Sequence, residues 1–412
     1  MDKIISKISV YFIIFIPIIM MLIKLFGIND YIYIWYILFV IISIISLISG
    51  VLTFFYKKKK INSVFILLLS GTLLCFLAMI LSGNIVNSFF GSEYRHSGFL
   101  TYLCFIGLFL NCINLDKKDL KKIGITFLII STIISIITLL NNNITKSLFF
   151  YQKSFDYNYP YHGVFYNANH YGYYLTLVVI LSIGMFLIEK KNTYKLLFLL
   201  IYYINLYTLI INNTFGAYIG VLIGLIVFVI LAFKKVNKFE LGIIILLFVL
   251  NSLTIQYKNN VIVIDNFKNL FIDVRDTVDG TQVSAGTGRV TLWIDYCGYI
   301  SKSPLLGYGG ENIDKSICRC NYLDAPHNSL IELAAYNGIF VPIIYLLFLI
   351  GLLIRFIKSK KDILCICIFS CCLSYFISSL FGVIIYYTSE YYVIMLSVLY
   401  TLLYKSAGIK TN

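Results

Sequence analysis

The sequence predicts an all-α polytopic membrane protein with about 12 transmembrane helices and a large extracytoplasmic loop carrying short amphipathic helices. Three observations carry that prediction. Of the 412 residues, 60% are apolar and only 13% charged, where a soluble domain carries about 25% charge. Apolar runs of about 20 residues, enough to cross a bilayer as helix, recur from end to end. Finally, 22 of the 33 cations fall in the gaps between every second pair of runs: Lys3 and Lys7, Lys57 to Lys60, Lys117 to Lys122, Lys190 to Lys195, Lys234 to Lys238, Arg355 to Lys361, and Lys405 with Lys410. Basic loops stay in the cytoplasm, so the formal charge of +14 reports topology and not a nucleic-acid surface. Nuclear, cytosolic and disulfide-framework classes are excluded.

In chain order, the runs place spans near 8–26, 32–56, 62–82, 98–115, 123–140, 170–188, 195–211, 214–233, 239–257, 338–354, 363–385 and 387–404. Both termini are then cytoplasmic, and every basic cluster lies inside. The first run, from about Ile8 to Leu25, has no small-residue cleavage site and reads as a span, not a signal peptide. The last is the weakest, because Glu390 interrupts its start. Tyr31, Tyr33, Tyr36, Tyr386, Tyr387, Tyr391 and Tyr392 gather near span ends, as an interfacial aromatic belt would have them. On this reading the whole chain, 1–412, is a single integral membrane domain, with residues 258–337 as an extracytoplasmic loop within it.

Outside loops near 83–97, 141–169 and 258–337 hold the candidate chemistry. In the third, Leu292, Trp293, Tyr296, Cys297 and Ile300 follow helical spacing from Arg289, and Pro304 stops the run. A second helix is predicted to begin at Pro326, which a first turn tolerates, and to end at Gly338. Both would lie at the outer membrane surface. Seven of the 10 cysteines sit in spans, where cysteine acts as a small apolar residue. Outside, Cys297 could pair with Cys318 or Cys320, or all three could be free thiols. No set of four spaced zinc ligands is offered. The series Asp273, Asp276, Asp279 matches no calcium loop and reads as solvated surface.

Arginine is the informative residue. Of five, Arg95, Arg275, Arg289 and Arg319 are outside and only Arg355 is inside. A lysine-rich composition and the inside preference of cations both work against that placement. The guanidinium fork bonds phosphate or carboxylate in pairs, as lysine cannot, so an extracytoplasmic phosphate-bearing substrate is the functional reading. The bland one is pairing with Asp273, Asp276, Asp279, Glu311 or Asp324. It suits Arg275, flanked by aspartates, while Arg289, near Gly286, Gly288 and Trp293, suits function. All four histidines, His96, His162, His170 and His327, are outside too. A lone histidine is commonly a hydrogen-bonded surface group. His327 differs, because a first turn after Pro326 offers an anion the positive helix end, where histidine can act as base or donor.

Gly288-Arg289, Leu292-Trp293, Pro304-Leu305-Leu306-Gly307-Tyr308-Gly309, then Pro326-His327-Asn328, Leu330, Glu332 and Gly338 together resemble the signature loop of the O-antigen ligase family. That family also holds the Wzy-type polysaccharide polymerases. Gly91-x-x-x-Arg95-x-x-Gly98 and Gly163-x-Phe165-x-Asn167-x-Asn169 agree with it, as do the span count and the place of the large loop. One stretch departs. Where many members carry Ser-Arg-Gly-Ala at the start of a middle span, this chain reads Thr214-Phe215-Gly216-Ala217. Arg95 or another outside cation must then meet the diphosphate, or the substrate is held differently.

The resemblance implies a glycosyltransferase of the membrane-embedded GT-C type that needs neither metal nor cofactor. Such an enzyme moves a glycan from undecaprenyl diphosphate to an acceptor hydroxyl at the outer face of the cell membrane. Catalysis falls to Arg289, on the leaving diphosphate, and to His327, on the acceptor or a phosphate. Substrate binding falls to Arg95, Asn328, Arg319 and Asn169, with Asn328 orienting His327. The lipid-linked glycan and the bilayer are the partners, other polysaccharide-assembly membrane proteins fit beside them, and nucleic acid does not. Polymerisation of capsular or exopolysaccharide repeats is favoured over ligation of finished glycan to a different acceptor. The reason is compositional: lysine, isoleucine and asparagine in place of arginine and alanine point to an AT-rich genome, common where lipid A is absent. The rival from another class is a lipid-linked oligosaccharide flippase, but the spans carry almost none of the mid-membrane ionisable groups that transporters use.

Overall fold

The computed structural model describes residues 2–28, 30–56, 62–93, 95–144, 161–259, 272, 275, 289–313 and 325–405. Among them every regular element is a helix. In chain order these are α1 (Asp2–Leu25), α2 (Tyr31–Tyr56), α3 (Ser63–Leu81), α4 (Ile85–Phe90), α5 (Phe99–Cys112), α6 (Lys117–Ile144), α7 (Ala168–Ile188), α8 (Asn192–Ile211), α9 (Phe215–Ala232), α10 (Lys238–Asn259), α11 (Arg289–Lys302), α12 (Ser329–Asn337), α13 (Phe340–Lys358), α14 (Ile363–Ser379) and α15 (Tyr386–Lys405). Each predicted span coincides with one of them. Nine are long and apolar enough to cross a membrane, and α5 and α14 are apolar but shorter. Runs this rich in isoleucine would suit strands in water; in a bilayer the backbone must be fully bonded, and a run of about 20 apolar residues achieves that by itself as helix.

α7 is buried on every face, as expected of a helix that is apolar all round. It packs against α6, α8, α9 and α14. α9 meets α14 through Gly216, Gly220 and Gly224, a four-residue repeat on one face. A Cβ on Gly220 would stand 2.1 Å from the Ser378 Oγ and 2.4 Å from the Ser374 carbonyl oxygen. Small residues allow that approach, and in lipid it is close packing that holds helices together. Outward, Ile41, Ile48, Leu73, Leu200, Ile230 and Leu253 are exposed, the surface a lipid solvent requires.

The basic gaps converge at one end of the bundle. Lys7 and Lys3 reach Asp119 at 2.7 and 3.0 Å, and Lys121 reaches Glu189 at 3.4 Å. Lys117 pairs with Asp362 and Lys195 with Glu240 at the same end. The opposite end carries α4, α11, α12 and the turns between them.

Two expectations are corrected here. The tyrosines near span ends form no lipid-facing belt: Tyr31, Tyr36, Tyr386, Tyr387, Tyr391 and Tyr392 are buried, and Tyr33 alone of that group is exposed. Two of their hydroxyls find carbonyls inside, Tyr386 donating to that of Ile32 at 2.7 Å and Tyr391 to that of Ile13 at 3.1 Å. A phenol can serve a core when its polar end is satisfied there. Glu390 likewise does not mark a helix edge. It lies inside α15, fully buried, and accepts from the Trp35 indole at 3.2 Å. Cys297 is an exposed free thiol; Cys318 and Cys320 lie outside the described residues.

Candidate functional site

α11 opens on Arg289, and one turn later the Trp293 indole donates to the Pro326 carbonyl at 2.8 Å. One face of the loop is thus tied to the residue before His327. Between α11 and α12 the strip Pro304–Gly309 crosses the end of α12. There the Tyr308 and Gly309 N–H groups take the Ala335 and Tyr336 carbonyls at 3.0 and 2.8 Å, which a helix end otherwise leaves unpaired. Gly307, at φ +65°, makes the crossing possible, since a Cβ would stand 2.6 Å from the Ala335 carbonyl oxygen. Tyr296, Tyr299, Ile313 and Tyr336 pack as a small core beneath.

α12 begins later than the sequence suggested. Its first residue is Ser329, and the Asn328 side chain accepts from the Leu330 and Ile331 N–H groups at 3.0 and 3.2 Å. Asparagine is a preferred N-cap, contributing about 1 kcal/mol, and it sets the boundary ahead of Pro326. His327 therefore precedes the helix, and its φ of +49° lies in the left-handed region that non-glycine residues seldom adopt. The cap occupies the Asn328 oxygen, so two first-turn donors are already taken.

The Gly91 to Gly98 stretch is a loop pinched at its neck. A Cβ on Gly91 would meet the Ser97 nitrogen at 2.4 Å, and one on Gly98 would meet the Gly91 nitrogen at 2.4 Å. Only glycine fits either side, which explains their spacing around Arg95. The charge of Arg95 acts on His327, His170 and Glu332, and that of Arg289 acts on His327. Arg95 comes from one loop, and Arg289 and His327 from another, into one electrostatic neighbourhood. Burial, then the charges of Arg289 and Arg95, depress the His327 imidazole from 6.5 to about 3. It is neutral at physiological pH and able to accept or donate a hydrogen bond.

The other sequence candidates fall into place around it. Asn169 is half-buried in the first turn of α7, whose cap is Asn167. The His170 ring bonds the Tyr387 hydroxyl, His162 engages the Phe165 carbonyl at 2.7 Å, and His96 stacks on Tyr36 at 3.7 Å. Arg275 is exposed. Arg319 lies outside the described residues, as do Asp273, Asp276, Asp279 and Asp324. Phe215, where the family resemblance would put arginine, sets its ring edge-on to Phe381 at 5.7 Å.

Sequence reasoning missed two acids as site residues. Glu311 grips the Arg95 loop. Glu332, on the inner face of α12, is fully buried and accepts from the Ile384 N–H at 3.0 Å. An acid between Ile331 and Leu333 was the available signal. Burial lifts the Glu332 carboxyl from 4.5 to about 8; the Ile384 N–H and Arg95 pull it down, and Glu311 pushes it up. An acid raised on folding stabilises in its protonated form. That contribution is complete below the unfolded value of 4.5 and lost as pH rises through about 8. Glu332→Gln should therefore melt higher than wild type in alkaline buffer and with a flatter pH dependence, as thermal unfolding in detergent would show. An unchanged slope would assign it to other groups.

A groove of about 190 Å³ runs between α3, α5, α12, α13 and α15, lined by Leu68, Gly71, Phe105, Leu333, Phe348 and Tyr392 among others. Ser329 borders it, two residues from His327.

The fold is that of a polytopic helical membrane protein, with Arg95, Arg289 and His327 as a candidate site at the end opposite its clustered lysine ion pairs. Residues 196–346 match the O-antigen ligase family. The ComP-specific O-oligosaccharyltransferase of Acinetobacter baylyi is 25% identical over 344 residues, covering 80% of this chain and 60% of that protein. The chain thus spans about 60% of the length of this relative. No solved structure matches. Both likenesses support a relation to the O-antigen ligase family, as the loop residues do.

Proposed function

We propose that this protein transfers a glycan from a polyprenyl diphosphate to an acceptor hydroxyl at the outer face of the cell membrane, with undecaprenyl diphosphate as carrier and no metal in the step. The observation that carries this reading is the convergence of Arg95 and Arg289 on a neutral His327. In the reaction the sugar–oxygen bond to phosphate breaks and one to the acceptor oxygen forms. Negative charge grows on the departing diphosphate, where the arginines stabilise it, while the acceptor proton passes to His327. The apolar groove ending at Ser329 suits the polyprenyl tail. With the lysine-rich end in the cytoplasm, both termini are inside and this site faces outward.

Joining repeat units of a capsular or exopolysaccharide is the first form of the reaction. Ligation to a different acceptor is the second, and it fits equally with the relative, which is by name a ComP-specific O-oligosaccharyltransferase. Deleting the gene and sizing the lipid-linked and surface glycans on a gel separates them. Single repeat units left on lipid at the outer face support polymerisation. Long lipid-linked chains that never reach an acceptor support ligation. Units trapped at the inner face would make the protein a flippase and overturn the enzymatic reading.

A further inference from the structure

The turn from Ser92 to Ser97 folds around a carboxylate supplied by another loop. Glu311, at φ +56°, aims its Oε2 at the Ser92 N–H and, at 3.4 Å, at the Ser97 N–H. These two donors bracket Arg95. The neighbouring contacts fasten the same two loops together. Asn312 accepts from the Asn87 side chain and donates to the Ser88 hydroxyl and, at 3.3 Å, to the Asn84 carbonyl. Gly310 lies so near that a Cβ would stand 2.8 Å from the Ser97 carbonyl oxygen. On the far side His96, at φ +51°, is stacked on Tyr36 with the rings 3° from parallel.

We propose that Glu311 is the positioning residue for Arg95: its carboxylate holds the 92–97 turn so that the guanidinium meets the substrate diphosphate beside Arg289 and His327. The proposal rests on the diphosphate reading above. An ionised acceptor makes backbone bonds roughly twice as strong as a neutral one. The turn it holds has a left-handed histidine and a glycine neck, a geometry that the 92–97 backbone alone would not keep. A cation displaced by about 1 Å can cost a reaction roughly 100-fold. Glu311 would thus act on turnover without touching the reacting atoms.

The test uses the full chain in detergent and compares Glu311→Ala, Glu311→Gln, Arg95→Ala and the double variant Glu311→Ala/Arg95→Ala. Hydrogen exchange of the peptide covering Ser92 to Ser97 reads the turn without any substrate. Glycan formation from the lipid-linked donor reads the consequence. Glu311→Ala should speed exchange there and lower activity by about the same factor as Arg95→Ala, roughly 10- to 100-fold, and the double variant should be no worse than either alone. Glu311→Gln, which keeps an acceptor oxygen, should recover part of both. Unchanged exchange in Glu311→Ala overturns the proposal. So does an additive loss in the double variant, which would make Glu311 a structural residue acting apart from Arg95. Full activity of Arg95→Ala would instead overturn the diphosphate reading, with the exchange result still deciding whether Glu311 holds the turn.

Discussion

Replacing His327 is expected to lower glycan formation by about 100- to 10,000-fold while the protein still folds and inserts. Alanine is not the best replacement, because the backbone at this position has φ +49°. Asparagine tolerates that conformation and keeps a hydrogen-bonding side chain, so His327→Asn isolates the loss of the base. An imidazole held at about 3 is a weak base, which looks unsuited to the task. Its depression, beyond burial, comes from Arg289 and Arg95, the cations a diphosphate would neutralise. Substrate binding should therefore raise the imidazole toward the range where a base is effective. In the pH profile, kcat should show an acid limb from His327 at a pH well above 3, while kcat/KM, which reports the free enzyme, should lack it. An identical limb in both would mean that the diphosphate does not sit between these cations. An active His327→Asn variant would remove the residue from the reaction.

Much of this was legible in the chain because membrane insertion constrains both length and charge. The twelve apolar runs became helices, since apolar runs of about 20 residues satisfy their backbone in lipid within one helix, where barrel strands would be about half as long. Pro304 and Gly338 ended elements by their own stereochemistry. The signature loop was readable for the same reason: Gly307 and Gly338 occupy positive φ where another backbone passes within bonding distance. What failed was long-range pairing. The interior tyrosines and a lipid-facing belt share one sequence pattern, and only the partners, the carbonyls of Ile32 and Ile13, tell them apart. Glu311 resembled a partner for an arginine side chain, and its carboxylate instead holds backbone N–H groups more than 200 residues away in sequence. The family resemblance gives Asn328 the task of orienting His327, and in the structure its side-chain oxygen caps α12. A cap is a local signal, and the proline two residues earlier masked it.

Arg289→Lys is expected to lose most activity, by about 100- to 1,000-fold if the fork serves the departing diphosphate as an oxyanion donor would. Lysine preserves the positive charge and loses the planar pair of donors. Comparison with Arg289→Ala then separates two roles that one side chain combines here. The field of Arg289 helps depress His327, so alanine should let that imidazole rise toward 6.5 in the free enzyme and lysine should not. Both variants lose the paired bonds. If geometry dominates, the two are equally inactive and differ only in the acid limb of kcat/KM. If charge dominates, lysine recovers most of the rate. Arg275→Ala serves as the control, because that arginine is exposed and its loss should leave glycan formation unchanged. A fully active Arg289→Ala would place the diphosphate elsewhere, and the arginine at the head of α11 would then be only a surface cation on the outer loop.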